Sequence, residues 1–259
     1  MRLALGQLAS TDDVAGNLRA AGDAVARAAD AGADLLLLPE YAMYEKKTVD
    51  ATFGDAAEPL DGPFCSAIAG LAAEHGVAVV AGVVERAADG GRPFNTLAAF
   101  GSDGALLARY RKIHLFDSYG FRESEWIAPA PDPEAVVFDV AGLTVGLMTC
   151  YDLRFPELGR ALADAGAALI ACCSSWVPGA HKAEQWRVLA QARAIENGCF
   201  TAAVSQAEPI SIGRSILTGP QGETVAEAGA APQLLVADVD AAEVAAARDR
   251  DPALRLRRL

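Results

Sequence analysis

The chain has 259 residues, of which 52% are hydrophobic and 22% charged, a composition that favours a large buried core and argues against disorder. Its formal net charge of −12 argues against nucleic-acid binding, because phosphate contacts need clustered lysine and arginine. No stretch approaches the roughly 20 apolar residues of a membrane span, and the apolar run in MRLALGQLAS is too short for a signal peptide, so we expect a soluble, cytoplasmic protein without membrane partners.

Apolar strands alternate with helices through the first half of the chain. Uninterrupted apolar runs such as LLLL, which Pro39 ends, indicate strands that are buried on both faces. The predicted elements are, in order, a strand at 3–8, a helix from about 10–13 to 31, a strand at 35–38, a helix at 63–76, a strand at 77–84 and a hairpin with strands at 95–100 and 105–115. This half therefore has the order β-α-β-α-β-β.

The second half repeats that order after a proline-rich seam at 129–133. The predicted elements are a strand at 143–149, a helix, a strand within AGAALIACCSS that echoes AGADLLLLPE, a helix at 181–197, a strand at 199–205 and a hairpin with strands at 214–217 and 223–226. Because no linker interrupts the pattern, we expect a single domain over residues 1–259.

Two halves of this kind predict an α/β fold with four layers. Each half would form a sheet with helices over one face, and the two bare apolar faces would pack together. The prediction is an α-β-β-α sandwich of two pseudo-symmetric halves. A doubly wound single sheet is the alternative, because strand-helix alternation alone does not distinguish the two.

The segment 143–157 contains the sharpest change of character in the sequence. Its apolar strand ends at Cys150, and charged residues and helical spacing follow. A thiol held where a strand turns into a helix would face backbone N–H groups and the positive end of the helix, which favour a thiolate and a developing oxyanion. Cys150 is therefore the candidate nucleophile, although most free cysteines are small core residues.

Glu40, Lys112 and Cys150 all fall at or near the carboxyl ends of predicted strands, the edge at which α/β proteins bind ligands. Taken alone, a glutamate after LLLLP is more often just the first polar residue on leaving the core, and a lysine in RYRKIHLF is more often one charge of a solvated patch. Together they supply the parts of a cysteine hydrolase. Glu40 would remove the thiol proton, Lys112 would offset the added negative charge and bind the oxyanion, and the Tyr151 N–H would be a second oxyanion donor.

The blocks LLLLPE, RKIHLF and CYDLRFPE resemble the three signature blocks of the nitrilase superfamily, the carbon-nitrogen hydrolases with a Glu-Lys-Cys triad. The resemblance runs from GQLAS through QWRVLAQARAIENG to the strand at 213–215. It implies that Glu40 is the base, Lys112 the oxyanion stabiliser and Cys150 the nucleophile. The family's second glutamate matches Glu123, which would position the lysine and the substrate. The resemblance also implies the four-layer sandwich, assembled as a homodimer or a higher homo-oligomer.

Within the superfamily, KIHLFD and CYDLRFPE favour the Nit branch, which includes ω-amidases and deaminated-glutathione amidases. The implied substrate is a small-molecule amide, most simply the primary amide of a short ω-amide carboxylic acid, which is hydrolysed through a thioester. Hydrolysis of N-carbamoyl amino acids or β-ureido acids is an alternative, and a catalytically silent binding or assembly subunit is another.

No metal or organic cofactor is expected. The three histidines are scattered without the spacing of metal ligands, and the five cysteines are an odd number without a CxxC pair. The sequence therefore indicates neither a zinc site nor a disulfide scaffold.

Two residues are candidates for holding the rest of the substrate. Arg154 follows the nucleophile closely enough to bind a substrate carboxylate through a bidentate contact, or it pairs with Asp152 or Glu157. Trp176, at the end of the second-half strand, could form a wall of the pocket or simply pack in the core.

Overall fold

The protein is described by a computed structural model that covers residues 1–258. The first half of the chain forms β1 (Arg2–Gln7), α1 (Val14–Asp30), β2 (Leu35–Leu37), α2 (Thr52–Ala56), α3 (Pro63–His75), β3 (Ala78–Glu85), β4 (Phe94–Phe100), β5 (Leu106–Arg111) and a 3₁₀ turn (Glu123–Glu125).

The second half forms β6 (Val137–Val140), β7 (Leu143–Thr149), a 3₁₀ helix (Cys150–Arg154), α4 (Pro156–Asp164), β8 (Leu169–Ser174), α5 (Lys182–Asn197), β9 (Phe200–Ser205), β10 (Ile216–Thr218), β11 (Thr224–Glu227), β12 (Gln233–Asp238), α6 (Ala241–Arg250) and α7 (Ala253–Leu256). No helix within residues 1–258 has both the length and the apolar character that crossing a bilayer requires.

These strands build two six-stranded sheets with matching topology. The strand order is β12-β1-β2-β3-β4-β5 in the first sheet and β11-β10-β9-β8-β7-β6 in the second. In each sheet three successive strands are parallel, and an antiparallel hairpin follows them. The repeat seen in the sequence is therefore a repeat of sheet topology.

Each sheet has one strand that the sequence pattern did not predict. β12 pairs antiparallel with β1, so the end of the chain closes the sheet of the first half. β6 pairs antiparallel with β7 in the second sheet. The two added strands occupy equivalent positions beside the first strand of each half, which strengthens the pseudo-symmetry.

The sheets pack face to face, and helices cover their outer faces. Alternate residues of β1, Leu3 and Leu5, join Val145 and other residues of the second sheet in one buried cluster. The intervening Ala4 faces the other way and packs with residues of α1 and α3. Because α4 and α5 contact the strands of the second sheet, the predicted α-β-β-α sandwich is confirmed, and the doubly wound single sheet is wrong.

Two predicted boundaries near the candidate site are corrected. β5 ends at Arg111 rather than continuing to 115, so Lys112 is the first residue after the strand. The helix expected directly behind Cys150 is a short 3₁₀ helix that ends before Phe155, and the α-helix begins at Pro156. Proline has no N–H to donate and fits the first helical position, which explains where α4 starts.

Candidate active site

Glu40 stands just beyond β2, where Pro39 ends the run of apolar residues and the chain turns sharply. Tyr41, the next residue, has a φ of 57°, in the left-handed region that residues other than glycine rarely adopt. The turn lies against β3 at Gly82, where an added Cβ would come within 2.4 Å of the Pro39 carbonyl oxygen and 2.7 Å of the Glu40 Cα. Since only glycine allows this approach, β3 fixes the position of Glu40.

Lys112 brings its ammonium between two carboxylates. Its Nζ lies 2.8 Å from Glu40 Oε1 and 2.9 Å from Glu123 Oε2, and only 2% of its side chain is exposed. An ammonium has three N–H groups. The third contact of the Lys112 Nζ, with Glu123 Oε1 at 3.2 Å, is the longest of the three, so that N–H is the one that a ligand oxygen can take.

Three further donors hold the two carboxylates in place. Asn95 Nδ2 donates to Glu40 Oε1 at 2.7 Å and to Glu123 Oε1 at 3.1 Å. The Tyr41 hydroxyl donates to Glu123 Oε1 at 2.8 Å, and the Phe116 N–H donates to Oε2 at 2.7 Å. The buried carboxylates therefore receive the hydrogen bonds that ionised oxygens need.

Electrostatics keeps Lys112 and Glu123 ionised despite their burial. Although burial alone would raise it, the Lys112 ammonium and the hydrogen bonds from Phe116 and Asn95 hold the pKa of Glu123 below its ordinary value. Burial would lower the pKa of Lys112, but the charges of Glu123 and Glu40 raise that pKa well above its ordinary value. An opposite charge at hydrogen-bond distance thus outweighs desolvation for this pair.

Cys150 sits at the sharp turn that the sequence predicted, with a φ of 47°. Its Sγ lies 3.7 Å from the carbonyl oxygen of Ser175, and the N–H of Ser175 donates to Glu40 Oε2 at 2.6 Å. Ser175 therefore ties the thiol to the carboxylate. A left-handed conformation at a residue other than glycine costs on the order of 1–3 kcal/mol and is typical of functional sites.

The expectation that this turn favours a thiolate is wrong for the protein without substrate. Burial and the charge of Glu40 raise the pKa of Cys150 well above its ordinary value, and Lys112 offsets them only in part. The 3₁₀ helix behind the thiol has five residues, which is too short to build a large dipole. The thiol is therefore neutral, and it needs a base before it can attack.

Asp152 anchors the turn that carries the thiol. It is completely buried, and its carboxylate accepts from the Thr149 N–H at 2.9 Å and the Tyr110 hydroxyl at 2.6 Å. The other oxygen accepts from the His114 N–H at 3.0 Å and lies 2.7 Å from His114 Nδ1. Asp152 thus joins the nucleophile turn of the second sheet to β5 and the segment after Lys112.

The cleft has two lobes, and they meet at the Cys150 thiol. The wide lobe has about 490 Å³ of empty space, part of it open to solvent, and its lining includes Glu40, Lys112 and Glu123. The narrow lobe has about 200 Å³ of empty space, also partly open to solvent, and its lining includes Trp176. Cys150 borders both lobes, so a carbonyl carbon held there can extend its substituents into either one.

The residues predicted to bind substrate have different positions. Tyr151 and Trp176 both line the narrow lobe. Arg154 is not part of the lining of either lobe within the described chain; its Cζ lies 5.0 Å from the Trp176 ring centre, and its Nη2 donates to Gln185 Oε1 at 2.7 Å. Neither of the acidic partners suggested for Arg154 pairs with it among residues 1–258, so its predicted contact with a carboxylate stays a prediction.

Sequence reasoning missed several residues that build the site. Asn95 is a buried amide in the apolar strand FNTLAAF, and Gly82 interrupts the apolar strand AVVAGVVE. A glycine inside a strand often marks a close backbone approach, so Gly82 had a usable signal. Asp152 had none, because its role depends on contacts with distant parts of the chain. No group of three potential metal ligands occurs within residues 1–258.

Comparison with known proteins places the chain among carbon-nitrogen hydrolases. Residues 2–249 match the carbon-nitrogen hydrolase family. The chain is 44% identical to the hydrolase Rv0480c of Mycobacterium tuberculosis, over 98% of this chain and 95% of that protein. It is 34% identical to the deaminated glutathione amidase of Escherichia coli O157:H7, over 100% and 97% of the two chains. It is 33% identical to the omega-amidase NIT2-B of Xenopus laevis, over 99% and 95%.

Solved structures share the fold. The NitFhit protein of C. elegans superposes with a TM-score of 0.91 at 29% identity, over 99% of this chain and 65% of that chain. A mutant amidase from Nesterenkonia sp. AN1, in which acrylamide has added to the active-site cysteine, superposes with a TM-score of 0.80 at 30% identity over 98% of each chain. The resemblance to the nitrilase superfamily and its Nit branch is therefore confirmed, and the chain belongs to the carbon-nitrogen hydrolase family.

Proposed function

We propose that this protein is a cysteine-dependent amidase that releases ammonia from a small primary amide through a thioester on Cys150. The observation that carries the proposal is the convergence of Glu40 and Lys112, from the first sheet, on a neutral thiol delivered by the second sheet. A buried thiol beside a carboxylate and an ammonium is poorly suited to store a thiolate. It is well suited to lose its proton during attack.

In the first half-reaction, the Cys150 sulfur bonds to the amide carbon while its proton passes to the Glu40 carboxylate. The carbonyl oxygen becomes an oxyanion, which accepts from the Lys112 ammonium, in place of its long contact with Glu123 Oε1, and from the Tyr151 backbone N–H. Tyr151 is the second residue of its 3₁₀ helix, where an N–H has no partner within the helix. One donor of this kind is typically worth about 3 to 4 kcal/mol of transition-state stabilisation.

Collapse of the tetrahedral intermediate breaks the C–N bond, and the protonated Glu40 gives its proton to the departing nitrogen. Ammonia leaves and a thioester remains on Cys150. In the second half-reaction, water attacks the thioester while Glu40 accepts a proton from it. The C–S bond then breaks, the thiol is restored, and a carboxylic acid leaves. Glu40 is therefore the base in each attack and the acid in each collapse.

The proposed substrate is the ω-amide of a short carboxylic acid. Relatives named omega-amidase and deaminated glutathione amidase support this class. The cleft is small enough to favour a short acyl chain. With a net charge of −12, the protein can hold an anionic substrate only through local cations.

The test is ammonia release from a panel of compounds by the wild-type protein and by Cys150→Ala. The panel contains α-ketoglutaramate, deaminated glutathione, N-carbamoyl amino acids, a β-ureido acid and simple nitriles. The proposal expects ammonia from an ω-amide acid and none with Cys150→Ala. Ammonia together with carbon dioxide from a carbamoyl compound would favour the ureido hydrolase. No ammonia from any compound of the panel, with a wild-type protein shown to be folded by circular dichroism, would favour a catalytically silent subunit.

A further inference from the structure

Lys182 is a buried cation without an acidic partner. It is the first residue of α5, it is 5% exposed, and its Nζ makes no ion pair or hydrogen bond within residues 1–258. Instead the Nζ lies 4.7 Å from the ring centre of Tyr119, 4.8 Å from that of Trp176 and 4.9 Å from that of Phe116. Three aromatic rings thus surround an ammonium that has lost most of its water.

Every other feature of this position disfavours a positive charge. The amino end of a helix is its positive end, which repels cations. Burial and the nearby Arg154 guanidinium lower the pKa of Lys182. Arg154 itself has no carboxylate partner among the described residues, and its buried Nε has no hydrogen-bond partner. The chain has 34 acidic residues, yet within residues 1–258 none of them pairs with these two neighbouring cations, which can therefore bind an anion from outside the protein.

The narrow lobe connects this cation to the reaction. Lys182, Trp176 and Cys150 line the same lobe, and Cys150 also borders the wide lobe that holds Glu40 and Lys112. A substrate whose amide carbon lies at the sulfur can therefore extend along the narrow lobe to the ammonium. The lobe is narrow, with about 200 Å³ of empty space that includes open solvent, so it admits only a slender chain of a few carbon atoms.

We propose that Lys182 is the specificity residue of the site, binding the carboxylate at the far end of the substrate while Cys150 attacks its amide. This inference rests on the proposed amidase function and assigns the acid end of the substrate to the narrow lobe. The aromatic rings hold the ammonium in place through cation–π contacts, and the substrate carboxylate supplies the missing counter-charge. The Arg154 guanidinium, whose Cζ lies 5.0 Å from the Trp176 ring centre, adds positive charge near this anion without lining the lobe.

Cations at the wide lobe are weaker candidates. Lys46 already pairs with Asp50, and Arg122 is largely exposed and lies 3.6 Å from Glu125. Lys47 is exposed at the rim of the cleft. An exposed ion pair contributes little binding energy in water, whereas a desolvated charge-assisted hydrogen bond is far stronger. Unlike these three cations of the wide lobe, Lys182 is buried, and its Nζ has no acidic partner within residues 1–258.

The test compares two substrates of equal chain length, succinamic acid and butyramide, which differ in whether the far end is a carboxylate or a methyl group. Rates of ammonia release are measured for the wild type, Lys182→Met, Lys182→Arg and Lys47→Met. Lys182→Met is expected to lower kcat/KM for succinamic acid by about 10- to 100-fold, the range for a hydrogen bond to a charged group, mainly through KM. Its kcat/KM for butyramide should stay within about threefold of wild type.

Two control variants test whether the effect depends on the positive charge at position 182. Lys182→Arg keeps the charge and should retain the preference for succinamic acid, and Lys47→Met should leave both rates unchanged. Methionine fills the aromatic cage without a desolvated charge, so Lys182→Met should also melt at a higher temperature than wild type. A folded variant with weakened binding would separate a binding role from a structural one.

Three results would overturn the inference. Equal losses with both substrates, accompanied by a raised thiol pKa, would mean that Lys182 acts on Cys150. A loss of succinamic acid turnover in Lys47→Met would place the acid end in the wide lobe. If the wild type hydrolyses butyramide in preference to succinamic acid, the proposed carboxylate site is refuted, whereas the proposed amidase function is supported.

Calorimetric titration with succinate keeps the two proposals separate. If wild type hydrolyses no amide yet binds succinate, and Lys182→Met does not bind it, the amidase proposal fails and the anion site stands. If succinate binds equally well to both proteins, the anion site fails whatever the turnover.

Discussion

At the scale of single residues, the site is a balance of three charges around a neutral thiol. Glu40 and Glu123 share the Lys112 ammonium, so the group carries one net negative charge next to Cys150. That charge and burial together keep the proton on sulfur. In the proposed mechanism the thiol and Glu40 therefore work as a pair that exchanges one proton.

Glu40→Gln should separate thiol acidity from turnover. The change removes the anion nearest the sulfur and leaves Lys112 in place, so the pKa of Cys150 should fall. Alkylation by iodoacetamide, followed against pH, should then begin at a lower pH than in the wild type. Ammonia release should drop at least about 1,000-fold, because the base is lost. An unchanged or raised thiol pKa in this variant would show that Glu40 does not act on Cys150.

Glu123 should make stability depend on pH. Its pKa is lower in the folded protein than in an unfolded chain, so its ionised form contributes stability that is fully present above the unfolded pKa of about 4.3. This contribution is lost as the pH falls through the folded pKa. Urea unfolding at a series of pH values below about 5 should show a shallower decline for Glu123→Gln than for wild type. Parallel declines would contradict the pairing with Lys112.

At the scale of elements, the position of each site residue is set by the strand that it follows. Glu40 follows β2 and is fixed by β3, Lys112 follows β5, and Cys150 follows β7. The sequence predicted these positions because each residue is polar and sits where an apolar run stops. It could not predict Asn95, whose amide reaches two carboxylates from distant segments. A contact that depends on tertiary packing leaves no periodic signal.

Gly82→Ala tests how tightly β3 positions the base. The new methyl group would meet backbone atoms of Pro39, Glu40 and Tyr41 at 2.4 to 2.7 Å, so the turn must move. A displacement of about 1 Å at a catalytic group can cost about 100-fold in rate. We expect kcat to fall by about that factor while circular dichroism shows a folded protein.

Gly70→Ala is the matched control. Gly70 lies within α3, and an added Cβ there has no neighbour within 4 Å among the described residues. Alanine should stabilise the helix by about 1 kcal/mol and leave kcat unchanged. Full activity in Gly82→Ala would mean that the Glu40 turn is not held by this close approach.

At the scale of the whole molecule, residues that follow strands of both sheets form the site. The end of the chain completes the first sheet, because β12 pairs with β1. The repeated order of apolar runs was enough to predict four layers. It was not enough to predict β12, because its partner β1 lies more than 200 residues away and nothing local identifies that pairing. β6, which pairs with β7, was also missed. Pairing across such distances is decided by packing.

The expected homodimer can be tested on the outer face of α5. Val188 is 55% exposed and Ile195 54% exposed, and a spacing of seven residues places both on one side of the helix. Large apolar side chains so exposed suit a contact with a second copy. Light scattering after gel filtration should give a dimer for the wild type and a monomer for Val188→Glu combined with Ile195→Glu. Leu107→Glu, on the other sheet, is the control and should remain dimeric; a monomeric wild type would refute the expectation.

The most direct test of the catalytic account is intact-protein mass spectrometry of an acid-quenched reaction with succinamic acid or another hydrolysed amide. A thioester mechanism predicts that the mass of the wild-type protein increases transiently by the mass of the acyl group. Proteolysis should locate this added mass on the peptide that contains Cys150. The adduct should be missing from Cys150→Ala, which should release no ammonia. Ammonia release by Cys150→Ala, or an acyl group on any other residue, would contradict it.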